Sequence, residues 1–369
     1  MEASPCLREK QRQLLCGDAP LEEIDIGYQS ISKYSQIPVT WCEDIRFVPN
    51  GISCFLLKGK VSTLLTCCSE PTKSPFIFAH EFFDALPIHA FQSVPPNPNE
   101  SSRTLETPTG PIPLTKPLSQ SKTPQWRELV VNPTPPPSNI TTSTSTSKPH
   151  PDFQLSIAKA STPNSILLPK LSPRYEAVLP NPGSIIEISP ESHSYAAEFA
   201  RRIGGPPPKA DQKPTSYSNK QTSPPPATKP KPSGAALILD YGPASTIPNS
   251  TLRGIRTHAQ TSPFSSPGLV DISADVDFLA LTEAALDASP GVEVHGPLEQ
   301  GIWLEAMGIR ARAEMICKTQ NEEGRKKVHL AVERLVERGG GGMGRIYKCL
   351  AIVPERGGRR PVGFGGGVV

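Results

Sequence analysis

Glu81 and Asp84, with Phe82 and Phe83 between them, are the residues of this 369-residue chain whose types and spacing could do chemistry. They follow the apolar run Phe76 to Ala79, which has the composition of a strand buried on both faces of a parallel sheet. Pro87 stops any helix that begins among them. The two carboxylates are therefore expected at a strand's carboxyl end, where open α/β sheets bind ligands. There they could hold a cationic group, with either phenyl ring as a cation–π wall. A second buried-strand pattern, residues 234–242, reads Gly-Ala-Ala-Leu-Ile-Leu-Asp-Tyr-Gly and also ends in an acid, which makes Asp240 a third candidate. The competing reading is a solvated loop for the carboxylates and ordinary core for the phenylalanines. His80, His89 and His258 flank the same region, and a lone histidine is more often structural than catalytic.

The elements that must position these groups share the chain with much that reads as unstructured. There are 44 prolines and a hydrophobic fraction of only 36%. Residues 93–173 are rich in Pro, Ser and Thr and are expected to be mostly disordered, with an ordered island at 126–131, Trp-Arg-Glu-Leu-Val-Val. Residues 174–203 form a second ordered segment, 204–233 a Pro/Lys-rich linker, 234–353 the most regular part, and 354–369 a glycine-rich tail. The first part, 1–92, opens with a helix that Pro5 starts and Gly17 ends. Ser273 is expected to cap a helix carrying Asp275 and Asp277 in its first turn.

Several function classes are excluded on composition. A net charge of +3, without a basic run, argues against a nucleic-acid binder. No segment reaches the roughly 18 apolar residues of a membrane span. The eight cysteines lack CxxC or Cys/His ligand spacing, so no metal is expected and reduced thiols are the simplest reading. The start, Met-Glu-Ala-Ser-Pro, is neither a secretory signal nor an Arg-rich mitochondrial leader.

The string His-Glu-Phe-Phe-Asp-Ala-Leu-Pro, residues 80–87, resembles the Asn-Glu-Phe-Phe-Asp-Ala-Leu-Pro signature of the MidA-type protein arginine methyltransferases, the mitochondrial complex I assembly factor 7 family. His80 stands in the usual Asn place. Further resemblances follow in family order: Glu-Ala-Ser-Pro at residues 2–5, Trp126 to Val131, Ala-Leu-Ile-Leu-Asp-Tyr-Gly at 236–242, and Met-Gly-Arg-Ile-Tyr-Lys-Cys-Leu at 343–350. The resemblance implies a Rossmann-like α/β methyltransferase sheet, with S-adenosylmethionine as methyl donor and Glu2 holding its ribose. It also implies symmetric dimethylation of an arginine in a complex I core subunit, in the mitochondrial matrix. On this reading Glu81 and Asp84 bind and orient the guanidinium, Asp240 assists, and Phe82 or Phe83 lines the substrate. The family's first strand and glycine-rich turn precede the Glu2 position, so the chain is expected to be truncated at its N-terminus. The glycine cluster at 339–344 precedes a strand, the wrong order for a cofactor loop. The rival expectation is a catalytically inactive assembly or binding protein of the same family.

Overall fold

The computed structural model describes residues 5–48, 74–96, 104–107, 109–113, 123–135, 151–205, 231–257 and 259–367. Glu2, His258 and the 51–73 insertion lie outside the described residues, as does nearly all of the 204–233 linker. The chain divides into two compact units, residues 1–73 with 211–231, and residues 74–210 with 232–369.

In the smaller unit the helix Pro5–Cys16 has proline at its first position and stops at Gly17, whose φ of +63° suits a residue without a side chain. An antiparallel meander follows, Glu22–Ile24, Gly27–Ile31 and Pro38–Trp41. The Trp41 indole N–H donates to Gln11 Oε1 at 2.8 Å and ties the last strand to the helix.

The larger unit is α/β, as expected. Its central sheet has the order Val292–Glu299, Tyr347–Pro354, Ala235–Tyr241, Phe76–His80. The last two strands are parallel, and Tyr347–Pro354 runs antiparallel to both of its neighbours. Ile238, Leu350 and Ile352 are fully buried in it. The helices Pro190–Gly204 and Phe278–Ala288 bring Phe199, Ile203, Leu281 and Ala285 to the core. Phe76–His80 is not buried on both faces as its composition suggests: Phe76 is 83% and Phe78 67% exposed. Among the described residues this strand pairs on one edge only, so those rings gain no cover from a second neighbour.

A second sheet, Ile185–Ile188, His89–Val94, Gln125–Pro133 and Phe153–Ile157, is antiparallel throughout. It corrects the expectation of disorder for residues 151–173, whereas residues 97–103, 114–122 and 136–150 lie outside the described residues. The island is a nine-residue strand, and from residue 151 the chain is folded through Phe153–Ile157, the helix Pro163–Leu167 and the 3-10 turn Leu168–Leu171. The reason lies in how proline is used. Thr162-Pro163, Ser172-Pro173 and Ser189-Pro190 are each an N-cap followed by proline at the first helical position, and each cap oxygen accepts a backbone N–H. A composition that reads as disorder is here a set of helix starts. Nor does residue 173 mark a domain boundary, because Ile185–Ile188 pairs directly with His89–Val94. Phe91, Trp126, Tyr175, Ile186 and Ile188 form one core.

A polar knot closes one end of this sheet. The Glu128 carboxylate receives Thr162 Oγ1 (2.5 Å) and Asn164 Nδ2 (3.2 Å), and contacts His89 Nδ1 at 2.7 Å. Burial opposes its ionisation, but the hydrogen bonds from His89, Thr162 and Asn164 outweigh that and hold its pKa below the ordinary value. Glu128→Ala leaves those partners without their acceptor and is expected to cost about 3 kcal/mol in denaturant unfolding. A loss within the scatter of surface substitutions would show that the knot is solvated.

Candidate active site

The ends of three strands build the site. Glu81 follows Phe76–His80, Tyr241 ends Ala235–Tyr241, and Tyr347 begins the antiparallel strand between that one and Val292–Glu299. Tyr241 and Tyr347 are register partners, so their rings share a face, with centroids 4.2 Å apart. The Tyr241 hydroxyl donates to Glu81 Oε1 at 3.0 Å, and the Tyr347 hydroxyl contacts both that oxygen and the Tyr241 hydroxyl. Burial, and then the Glu81 carboxylate, push the Tyr347 phenol well above its ordinary pKa; burial is also the main reason that the Tyr241 phenol is raised. Both phenols therefore stay protonated and donate.

Glu81 itself is exposed and has φ +47°, a left-handed conformation that a non-glycine residue rarely adopts. Such strain costs on the order of 1–3 kcal/mol and persists where the surroundings fix it. Asp240 supplies the fixing. Fully buried beneath the loop, it accepts on Oδ2 the N–H groups of Phe82 (3.1 Å), Phe83 (2.9 Å) and Asp84 (3.4 Å), and on Oδ1 that of Tyr241 (2.9 Å). Burial, and then the neighbouring Asp84 charge, raise its pKa to about 7 against those backbone bonds.

The structure therefore brings Glu81, Asp84 and Asp240 together but gives them different surroundings. Asp84 Oδ2 accepts from the Ser273 hydroxyl at 2.9 Å, while its Oδ1 is buried without a partner of hydrogen-bond geometry. Burial raises the Asp84 pKa, opposed by Ser273. Ser273 is thus not a helix cap. The helix starts later, at Phe278, with Asp277 as its cap. The phenylalanines also separate. Phe83 is 2% exposed and packs edge-on against Phe82 and Phe199, which makes it core, whereas Phe82 is half-buried with its ring edge-on to Tyr195. His80 is exposed, its ring between those of Phe78 and Tyr347. His89 belongs to the Glu128 knot.

Tyr241, Tyr347 and Arg253 were not singled out by sequence, and Ser273 only as a helix cap. The guanidinium of Arg253 lies 5.4 Å from the Tyr241 ring centroid and binds Asp275 at 2.6 Å. Tyr241 had a signal: strand alternation puts it on the opposite face from its neighbour Asp240. Tyr347 had none, because only the pairing of strands far apart in sequence sets it beside Tyr241.

A family model of S-adenosyl-L-methionine-dependent methyltransferases matches residues 1–298. The chain belongs to that family. Similar proteins include the mitochondrial protein arginine methyltransferase NDUFAF7 of Mus musculus, 26% identical over 89% of this chain and 52% of that protein. The Homo sapiens NDUFAF7 is 26% identical over 78% of this chain and 42% of its own length. The Drosophila melanogaster homolog is 24% identical over 96% and 60%. The chain thus spans about half the length of the relatives it matches. A Burkholderia thailandensis COG1565 superfamily member, a likely methyl transferase bound to S-adenosyl-homocysteine, superposes with a TM-score of 0.48 at 17% identity, covering 79% of this chain and 56% of its own.

In the glycine cluster before the last strand, a Cβ at Gly344 would lie 2.2 Å from Val336 O and one at Gly342 2.2 Å from Glu337 O, whereas Gly340 and Gly341 face open space. Among the described residues no group of three or more His, Cys, Asp or Glu side chains suits a metal ion, and no helix is long and apolar enough to cross a membrane.

Proposed function

We propose that this chain carries the acceptor half of a protein arginine methyltransferase site, in which Glu81 receives the substrate guanidinium. The observation that carries the reading is the Glu81 carboxylate, exposed at a strand end on a strained backbone, with two tyrosine hydroxyls fixing one oxygen and leaving the other for a ligand. An arginine side chain is a planar, always protonated cation that pairs with carboxylates and stacks on aromatic faces. Arg253 already lies against the Tyr241 ring in this way.

S-adenosylmethionine supplies an electrophilic methyl group when bound. Glu81 would orient one guanidinium nitrogen toward it and take the proton that this nitrogen sheds, as the N–C bond forms and the methyl's bond to the sulfonium sulfur breaks with its electron pair staying on sulfur. Asp240 holds the loop, and Asp84 fastens it to the Ser273 segment, so both are positioning residues. Phe82 forms the apolar wall. Glu2 as the ribose ligand, a complex I core subunit as the target, symmetric dimethylation and the mitochondrial matrix extend this reading. The mitochondrial relatives support the compartment.

Transfer of labelled methyl from S-adenosylmethionine to a protein substrate, followed by hydrolysis, is expected to give label in methylarginine. Label confined to another residue would overturn the arginine assignment. Tyr347→Phe removes one donor to Glu81 while keeping the ring, and is expected to lower kcat/KM about tenfold, the equivalent of about 1.4 kcal/mol, with little change in Tm. An unchanged rate would mean that the hydroxyl does not hold the carboxylate.

A further inference from the structure

We infer that a groove beside the outer edge of the strand Ile185–Ile188 docks an extended segment of the protein substrate, next to the residue that enters the Glu81 site. The groove has a volume of about 650 Å³, and its walls include Arg174, Ala177, Ile185, Thr246, Ile247 and Asn249. This is within the roughly 300–1,000 Å³ of binding clefts.

Three observations identify the occupant. Ile185–Ile188 is the last strand of its sheet among the described residues, paired on its inner side with His89–Val94. On the outer side the Glu187 N–H donates to Pro248 O at 3.1 Å. Strand alternation turns the backbone groups of Ile185 to that same edge, and there the groove opens. With Glu187 taken by Pro248, the outward backbone groups of Ile185 are what this edge offers to another extended backbone.

The charge of the groove points the same way. Arg174 is the charged residue on its wall; its charge is balanced by Asp277 at 3.0 Å and Glu283 at 3.0 Å, while its Nη1 is buried without a hydrogen-bond partner. The groove therefore does not select an anion. Its remaining surface alternates short hydroxyl or amide side chains (Ser184, Thr246, Asn249) with apolar ones (Val178, Ile185, Ile247), which suits an uncharged extended backbone.

Continuity links the groove to the site. The 242–250 loop leaves Tyr241, whose hydroxyl is on Glu81, and lines the groove from Ser245 onward. It is pinned again where the Thr251 N–H donates to Glu187 at 2.9 Å and Arg253 lies against the Tyr241 ring. Ser245 is four residues from Tyr241, at most about 14 Å of extended chain, so one short loop carries both the tyrosine of the site and a wall of the groove.

The inference rests on the proposed methyl-acceptor reading, and its test is therefore a binding measurement. The probe is a fluorescein-labelled Val/Thr/Ser peptide with one central arginine, together with the same peptide N-methylated on alternate flanking amides. Ala177 and Thr246 are exposed and outside the site, so Ala177→Trp and Thr246→Trp fill the groove without touching the core. By fluorescence anisotropy with the full chain, each tryptophan variant, and N-methylation of the peptide, is expected to weaken binding about tenfold or more, with unchanged Tm. Equal affinities, or no binding of the unmodified peptide at millimolar concentration, would overturn the groove. So would tryptophan variants that abolish self-association in sedimentation but leave peptide binding intact, which would assign the groove to a second copy. Groove-dependent binding without arginine methylation would leave the docking site standing and remove the arginine assignment.

Discussion

Glu81→Gln is expected to lower kcat/KM for an arginine-containing protein substrate by about two orders of magnitude, with Tm close to that of the parent. A hydrogen bond to a charged partner contributes about 1.5–3 kcal/mol, or about 10- to 150-fold. Glutamine keeps the length and the carbonyl oxygen that the Tyr241 hydroxyl reaches, so the local packing survives. What it loses is the negative charge facing the guanidinium and the capacity to take its proton. The side chain is exposed, and little folding free energy is at stake. If glutamine turned over substrate normally, the exposed carboxylate would be a bystander. If Tm fell with the rate, Glu81 would matter through the loop and not through the ligand.

The contrast between Glu81 and its neighbours also marks how far the sequence could be read. The polarity switch from Phe78-Ala79 to Glu81 and the acid ending Ala235–Tyr241 are local signals, and the structure sets both at adjacent strand ends. Which carboxylate faces outward is not local. Asp240 is buried because three N–H groups of a loop more than 150 residues away converge on it. Phe82 and Phe83 are equivalent as letters, yet the loop turns one toward Phe199 and leaves the other half-exposed. The Pro-rich region misled for a different reason. Proline frequency counts against helices only in their interiors, and Pro163 and Pro173 both stand at first positions behind a hydroxyl cap.

The second large effect concerns the proton on Asp240. Its carboxyl is raised from 3.8 to about 7 by burial and by Asp84, whose own pKa is raised in the same direction. A folded-state pKa above the unfolded one means that the folded chain holds the proton more tightly. The resulting stabilisation is complete below about pH 4 and is lost as the pH rises to about 7. For an interval of about three pH units this amounts to on the order of 4 kcal/mol. An asparagine in place of Asp240 has no proton to release and still offers one oxygen to the Phe82, Phe83 and Asp84 N–H groups. Asp240→Asn is therefore expected to flatten stability between pH 4 and 7 relative to the parent, whereas Asp240→Ala leaves the N–H groups unpaired and destabilises at every pH. Denaturant unfolding of the three proteins across that range, taken as differences from the parent, isolates Asp240 and the Asp84 coupled to it from the other titrating groups. The loop consequence can be read in parallel: without its anchor, Glu81 loses its left-handed placement, and Asp240→Ala should lose methyl transfer even where it remains folded. Parallel pH curves for the parent and Asp240→Asn would show that the carboxylate is ionised throughout, with its backbone hydrogen bonds outweighing its burial.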